Sequence, residues 1–269
     1  MQYLSVDGSI ALNADDARVA GLAARSPVRV IRFGFDPTAD VRAEILELAP
    51  AFSRWRWFHE GRLQGEMVLP IPGRHNIQNA LAALSMALDV GVDVQSAARA
   101  LENFVQAPRR LETVTVGDIT LVSDVAMNRA SYDAVMQFIV ELKRPVVVVN
   151  AIRGDRGTGV NRDIAEVLGG WSTRIGFVPM IVTLSRQHVD RMPVDYRVRP
   201  EETEAFLVAA ARRGLAVELF TELPAALDAA RGRIAPGGVL LLLGTFGMDD
   251  GLALAEQILR QEVVNRTRS

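Results

Sequence analysis

The chain has 269 residues, 49% of them apolar, with 30 basic and 32 acidic side chains and no cysteine. That content fits one large domain or two ordinary ones with sizeable cores, and the near balance of interspersed charges excludes a nucleic-acid footprint and a polybasic membrane surface. Disulfides, thiolate zinc sites and cysteine nucleophiles are excluded too, and with an acidic start unlike a signal peptide and no apolar run long enough to span a bilayer, a soluble cytoplasmic protein is expected.

In chain order, residues 9–13 and 28–33 read as short buried strands flanking a helix over 16–24, the alternation of an α/β fold. Residues 36–51 lose periodicity and read as a connection. Alternating apolar and polar residues over 53–58 and 62–69, about a turn at Glu60-Gly61, predict a hairpin. Helices over 76–89 and 94–104 follow, and the turn at Ala107-Pro108 marks the expected boundary between a domain of residues 1–107 and one of residues 108–269. Beyond it, 112–116 and 119–123 pair as strands around Gly117-Asp118, and a helix covers 131–142. The run VVVVN suits a parallel strand buried on both faces. Strands at 178–184, 216–220 and 239–243 alternate with helices at 163–168, 201–213, 224–234 and 252–263. This predicts right-handed crossovers and a doubly wound, mostly parallel sheet.

Several residues in this frame can carry chemistry. In PGRHNIQNALAALSMALDVG, residues 72–91, His75, Asn76 and Asn79 stand at the entrance of an apolar helix, where unpaired N–H groups and the positive dipole end favour an anion. Helix capping by Asn76 is the rival account, and Gly73 suits a tight turn. Asn13 ends a strand, where open α/β sheets bind ligands, and its amide offers donor and acceptor together to a purine edge. Alternatively residues 13–16 cap the next helix, the role expected of Asp15 and Asp16. The loop AIRGDRGTGVNRD, residues 151–163, presents Arg153, Asp155, Arg156, Asn161, Arg162 and Asp163 at the carboxyl end of the VVVV strand. It suits an anion or carboxylate, or else is a solvated turn of mutual ion pairs. His59 and His188 have no second histidine at metal-ligand spacing and read as structural or surface residues; Trp55 and Trp57 read as core or edge packing. The single lysine, Lys143, ends a helix, and no GxxxxGK[ST] phosphate loop or GxGxxG fingerprint occurs.

Four segments in order, LNADD (12–16), GRHNIQNALAA (73–83), APRRLE (107–112) and SDVAMNRAS (123–131), with LLLGTFGMDD (241–250) near the end, resemble the Mur ligase superfamily. These are ATP-dependent amide ligases that include cyanophycin synthetase and folylpolyglutamate synthase. SDVAMNRAS is similar to the family's DYAHNP motif, with Val125, Met127 and Arg129 in place of its Tyr, His and Pro. The resemblance implies a partial Mur-ligase central domain that lacks its P-loop half, followed by a Rossmann-like C-terminal domain with a mostly parallel sheet. It further implies ATP and magnesium as cofactors and a carboxylate substrate activated as an acyl phosphate before an amine attacks. By resemblance, Asn13 lies near the adenine, His75 and Asn76 face the nucleotide or its metal-bound phosphates, Arg110 reaches the phosphates, and Asp124 bonds the ribose hydroxyls. Arg109 is the alternative to Arg110; both could instead be surface charges near the boundary. Asn128, Arg153, Asp155 and Arg156 are assigned to the carboxylate or amino-acid substrate, while no catalytic residue and no metal ligand is assigned.

The expected function is therefore an acid–amino acid ligase represented by its C-terminal portion. As given, the chain is expected to be inactive alone, needing a partner chain that supplies the P-loop half; partner binding or self-association could also cover exposed sheet edge. The contrasting reading is a noncatalytic, degenerate ligase lobe acting as a binding or regulatory module. A nicotinamide-dependent oxidoreductase is permitted by the α/β pattern but has no fingerprint, and fold analogy alone does not establish it.

Overall fold

Apolar residues at alternate positions build two separate sheets. The structure, a computed structural model, describes residues 5, 7–177 and 179–268. The chain divides into two compact units, Met1–Gln106 and Ala107–Ser269.

In the first unit the strands β1 (Ser9–Asn13), β2 (Arg29–Gly34), β3 (Val41–Leu48), β4 (Ser53–His59) and β5 (Arg62–Leu69) lie side by side in sequence order. The β1–β2 and β2–β3 pairs are parallel, and the other two are antiparallel. Instead of one helix over 16–24 there is a single turn, α1 (Ala17–Ala20), then a 3-10 turn at Ala23–Arg25; Gly21 interrupts an otherwise helix-forming stretch. α2 (Arg74–Asp89) and α3 (Val94–Glu102) complete the unit. Ile77, Ala80, Leu81 and Leu84 line one stripe of α2 and enter the same core as Trp55, Trp57, Met67 and Leu69. Both tryptophans are therefore core residues, Trp55 being fully buried.

The connection expected over 36–51 is corrected by β3. Its first residues do alternate, with Val41 and Ala43 buried and Arg42 and Glu44 outside. A bulge between Ile45 and Glu47 then breaks the period, which hides the strand from a pattern search.

The second unit carries six strands in the order β10-β9-β8-β11-β7-β6. β6 (Glu112–Val116) pairs antiparallel with β7 (Ile119–Asp124); β8 (Val146–Ala151), β9 (Met180–Thr183), β10 (Val217–Phe220) and β11 (Val239–Leu243) run parallel to β7. The expected start of β9 at Val178 lies outside the described residues. The helices are α4 (Arg129–Leu142), α5 (Gly157–Ile175), α6 (Arg186–Val189), α7 (Pro200–Arg212), α8 (Leu223–Arg231) and α9 (Gly251–Arg268). Val122, Val148, Val182, Leu241 and Leu243 face α4, α5 and α7, while Leu121, Val149, Ile181, Leu240 and Leu242 face α8 and α9. That strict alternation is the two-sided burial expected of parallel strands.

α5 runs far beyond the expected 163–168. Gly169 and Gly170 in its interior discourage a helix assignment, but the place a Cβ would take at Gly169 lies 2.4 Å from the Arg213 side chain at the end of α7. Glycine is there for the close approach of that chain end, not to stop the helix. Among the described residues no helix is long and apolar enough to cross a membrane.

β11 is one of the two middle strands, bonded to β7 and β8 on either side, and Leu241 is fully buried at its middle. Leu241→Ala should cost about 2–5 kcal/mol in guanidinium unfolding. A loss below about 1 kcal/mol would mean that β11 is not the packed centre of this sheet.

Candidate functional site

In the first unit the candidate residues gather where β1 and β2 end and α2 begins. Asn13 closes β1 and turns its Oδ1 to the Asp15 N–H at 2.9 Å. The Asp15 carboxylate accepts from the Phe35 N–H at 2.9 Å, the Asp36 N–H at 3.0 Å and Gln78 Nε2 at 2.7 Å. Asp15 thus ties the ends of β1 and β2 to the first turns of α2 rather than capping a helix. Asp16 is the cap, accepting from the Arg18 and Val19 N–H groups, and these bonds hold its carboxyl below the usual range.

α2 starts at Gly73, whose φ of 95° is left-handed territory, and Asn76 Nδ2 reaches back to the Pro72 carbonyl at 2.7 Å. His75 is half-buried, and burial lowers its pKa, so the imidazole is neutral at pH 7. Arg74 lies over the Phe35 ring at 4.4 Å, and Asn79 is exposed. Asn13 and Asn76 therefore spend part of their bonding capacity on the turns that carry them, while His75 presents a neutral donor–acceptor ring.

In the second unit the parallel sheet has a switch point. The chain leaving β7 passes to the α4 face and the chain leaving β11, its neighbour, passes to the α9 face, the reversal at which open α/β sheets commonly bind ligands. Asp124 stands there at the last position of β7, 6% exposed. Its Oδ2 accepts from the Leu111 N–H at 2.9 Å. Burial pushes the Asp124 carboxyl up from about 3.8 to about 6, against the Leu111 bond and the charges of Arg110 and Arg109, which act the other way.

The two arginines of APRRLE are used differently. Arg109 is half-buried, ion-paired to Asp249 and bonded to the Gly244 carbonyl at 2.6 Å. Arg110 is exposed, its charge felt by Asp124. Arg109 and Leu111 both have left-handed backbone, φ 57° and 51°, at a cost of roughly 1–2 kcal/mol each.

Sequence reading did not single out Tyr132 or Asn150. Tyr132, fully buried in the first turn of α4, donates its hydroxyl to Asn150 Oδ1 at 2.6 Å. Burial first, and the Asp124 charge second, push the phenol above its usual range, while Arg153 acts oppositely, so these groups belong to one electrostatic neighbourhood. Asp124 and Asn150 flank Leu243 in register across three strands. The signal for Asn150 was available: it is the one polar residue in a run of valines. Tyr132 was hidden in the apolar period of its helix.

The loop 151–163 is corrected in its second half. α5 begins at Gly157, so Asn161, Arg162 and Asp163 are helical. Asn161 is wholly buried and binds both the Arg153 N–H, at 3.1 Å, and the Arg153 carbonyl, at 2.7 Å. It braces the loop from within. Arg153 is 8% exposed, with its Nε unpartnered among the described residues, 3.8 Å from Asp155 and its guanidinium 5.7 Å from the centre of the Phe246 ring. Phe246 in turn stacks on Tyr196 at 3.7 Å. Asp155 and Arg156 are exposed and paired to one another at 3.6 Å.

Asn128 is exposed and already occupied by the chain. It is the N-cap of α4, its Oδ1 accepting from the Ser131 N–H at 3.0 Å while Ser131 Oγ accepts from the Asn128 N–H, a reciprocal capping box. His188, expected as a structural or surface residue, lies between two carboxylates, Nε2 at 3.2 Å from Asp249 and Nδ1 at 3.1 Å from Asp250. Among the described residues no group of three or more His, Asp or Glu side chains could hold a metal ion.

Asp124 at the sheet switch point, held by Leu111 and near the exposed Arg110, is the main polar feature of the second unit's strand ends. Residues 1–87 match the Mur ligase middle domain and residues 109–246 the Mur ligase glutamate ligase domain, and the chain belongs to the Mur ligase family. It is similar to UDP-N-acetylmuramate–L-alanine ligases, 42% identical to one from Stenotrophomonas maltophilia over 46% of this chain and 25% of that protein. With one from Acidithiobacillus ferrooxidans the identity is 30% over 91% of this chain and 52% of the relative, so the chain spans about half the length of the curated relatives it matches at full reach. In fold it is similar to MurF from Acinetobacter baumannii (19% identity, 96% of this chain and 53% of the other, TM-score 0.71). A MurF ligase from Thermotoga maritima, solved in complex with ADP, is comparable (14% identity, 96% and 55%, TM-score 0.71).

The raised pKa of Asp124 has a definite consequence for stability. The folded chain holds this proton more tightly than the unfolded one, so the stability it contributes is complete below about pH 4 and is lost as pH rises through 6. Above pH 7 the ionised group costs roughly 3 kcal/mol. Asp124→Asn keeps an oxygen for the Leu111 N–H and should melt several degrees higher than wild type at pH 8. The difference should shrink toward zero at pH 4; an equal gain at both pH values would show that charge burial is not its origin.

Proposed function

We propose that this chain forms the nucleotide-closing and amino-acid-recognising part of an ATP-dependent acid–amino acid ligase, which joins a carboxylate to an amine through an acyl phosphate. The observation that carries the reading is Asp124, a carboxylate kept buried at the sheet switch point at a cost to stability, with the exposed Arg110 beside it. A carboxylate accepts from two vicinal hydroxyls at once, which suits a ribose, and a guanidinium suits phosphate oxygens. In this reading Asn13, His75 and Asn76 are the first unit's own candidates for a nucleotide contact, His75 as a neutral hydrogen-bonding ring. Arg153, Asp155 and Arg156 serve the amino-acid substrate; Asn128 acts through the cap it gives α4.

Magnesium would come with the nucleotide, since it commonly takes one or two carboxylates plus phosphate oxygens and not a full protein cage. ATP bound with magnesium would supply the phosphoryl group for acyl activation; the chain's own residues bind and orient. These 269 residues contain no phosphate loop, and their one lysine is the left-handed C-cap of α4. Phosphoryl transfer rests on gripping and neutralising the phosphates, so turnover requires that apparatus to be supplied to these residues. The relatives' printed names make UDP-N-acetylmuramate and L-alanine the acid and amine to test first. A cytoplasmic setting, where ATP is at hand, accords with this reading.

Titration calorimetry of the 269-residue chain with ATP and magnesium, and with ADP, tests it. Binding should weaken about tenfold or more in Arg110→Ala and in Asp124→Ala, with no phosphate release from wild type alone. Wild type that binds neither nucleotide, or variants that bind as wild type does, would leave Asp124 without this role.

A further inference from the structure

Two left-handed residues, Arg109 and Leu111, bracket Arg110. Neither is a glycine or an asparagine, so the residue types do not favour that backbone and side-chain contacts must hold it, one of them from Glu112 within the motif and the others from outside. The outside contacts come from the far end of the second unit. The Arg109 guanidinium pairs with Asp249 and donates to the Gly244 carbonyl at 2.6 Å, both groups lying in the turn that leads from β11 to α9. The same Asp249 carboxylate lies 3.2 Å from His188 Nε2, and the other ring nitrogen lies 3.1 Å from Asp250. Around Arg109 the main chain is fixed too: its N–H donates to Glu112 Oε2 at 2.8 Å and its carbonyl accepts from the Val125 N–H at 2.9 Å. The Leu111 N–H, the next but one in the turn, is the group that binds Asp124.

We propose that Asp249, backed by His188, is a positioning residue of the nucleotide site: the His188–Asp249–Arg109 chain fixes the 109–111 turn, which directs the Leu111 amide and the Arg110 charge at the Asp124 carboxylate. This rests on the nucleotide reading of Asp124 and Arg110 and extends it to residues that touch no ligand. It also explains why the two arginines are not interchangeable. Arg109 uses its two terminal nitrogens separately, one on a carboxylate and one on a carbonyl, a spread that the planar fork presets, whereas Arg110 needs only to project its charge.

The test compares wild type with Asp249→Asn, Asp249→Glu, His188→Gln and the exposed Asp250→Asn. ADP affinity is read by calorimetry, and the Leu111 amide and Asp124 carboxyl resonances are followed by NMR across pH. Asp249→Asn should weaken ADP binding about tenfold, His188→Gln about threefold and Asp250→Asn least. In Asp249→Asn the Leu111 amide should move to the position of a weaker hydrogen bond and the Asp124 titration should move to higher pH; Asp249→Glu should restore part of both. Unchanged Leu111 and Asp124 resonances in Asp249→Asn overturn the proposal, even if ADP binding falls or the variant melts earlier. If Asp249→Asn does not fold, the same two resonances in Asp249→Glu and His188→Gln decide. Should wild type bind no ADP, the nucleotide reading fails, while the resonances still settle whether Asp249 positions the turn.

Discussion

Asp124 sits at the end of β7 with its carboxylate largely out of water, and much of the second unit is arranged around that burden. A buried charge is tolerable when it is hydrogen-bonded and has countercharge nearby. Here the bond comes from Leu111 and the countercharge from Arg110 and Arg109, three consecutive residues that precede β6. Strand pairing makes this possible. β6 returns antiparallel beside β7 with Glu112 opposite Ser123, so the segment entering β6 falls against the end of β7. The left-handed backbone at Arg109 and Leu111 is the conformational cost of bringing an amide and a guanidinium to the same carboxylate, and the Arg109–Asp249 pair offsets it.

Several polar residues that look ligand-facing in the sequence are occupied by the chain itself. Asn13 closes its own turn, Asn76 binds back to Pro72, Asn128 caps α4 and Asn161 pins the backbone of Arg153. For the first three the cause is the short amide side chain, which reaches main-chain groups two to four residues away more readily than it reaches anything else, while Asn161 reaches back eight residues to brace its loop. Longer or more rigid groups escape this. Arg110 projects into solvent, and His75 is half-buried with its ring held neutral. The distinction bears on mechanism: the short side chains shape the turns at the strand ends, and the longer ones present charge or hydrogen bonds from those turns.

Strands of the second unit were legible because burial on both faces leaves uninterrupted β-branched and leucine runs, as in β8 and β11. The hairpin of β4 and β5 was legible for the opposite reason, a clean alternation around Glu60-Gly61. β3 was not, since its bulge removes the period within eight residues. α5 was cut short because paired glycines weigh against a helix, a local preference that the close approach of the Arg213 side chain overrides. For the site, Asp124 and Arg110 stood out through motif order, whereas Asn150 was passed over although it is the one polar residue of an apolar strand. Asp249 and His188 carried no such mark. Their importance comes from contacts 61 to 140 residues apart in sequence, which no local pattern contains.

Under the ligase reading, Arg153 is the residue of the 151–163 loop best suited to an amino-acid carboxylate. Its guanidinium is nearly as buried as Asp124, yet Nε has no hydrogen-bond partner among the described residues and the nearest acid, Asp155, is 3.8 Å away. The side chain cannot easily withdraw, because Asn161 holds the Arg153 main chain on both its N–H and its carbonyl. The quadrupole of Phe246, 5.7 Å from the guanidinium, offsets only part of the desolvation. A cation held in this way is stabilised when a further acceptor arrives, and under the ligase reading an amino-acid carboxylate is such an acceptor, with two oxygens matched to the guanidinium fork. The preorganisation that makes Arg153 costly without that carboxylate is what would make it selective for one, because a ligand lacking the carboxylate would leave the same nitrogen unpaired.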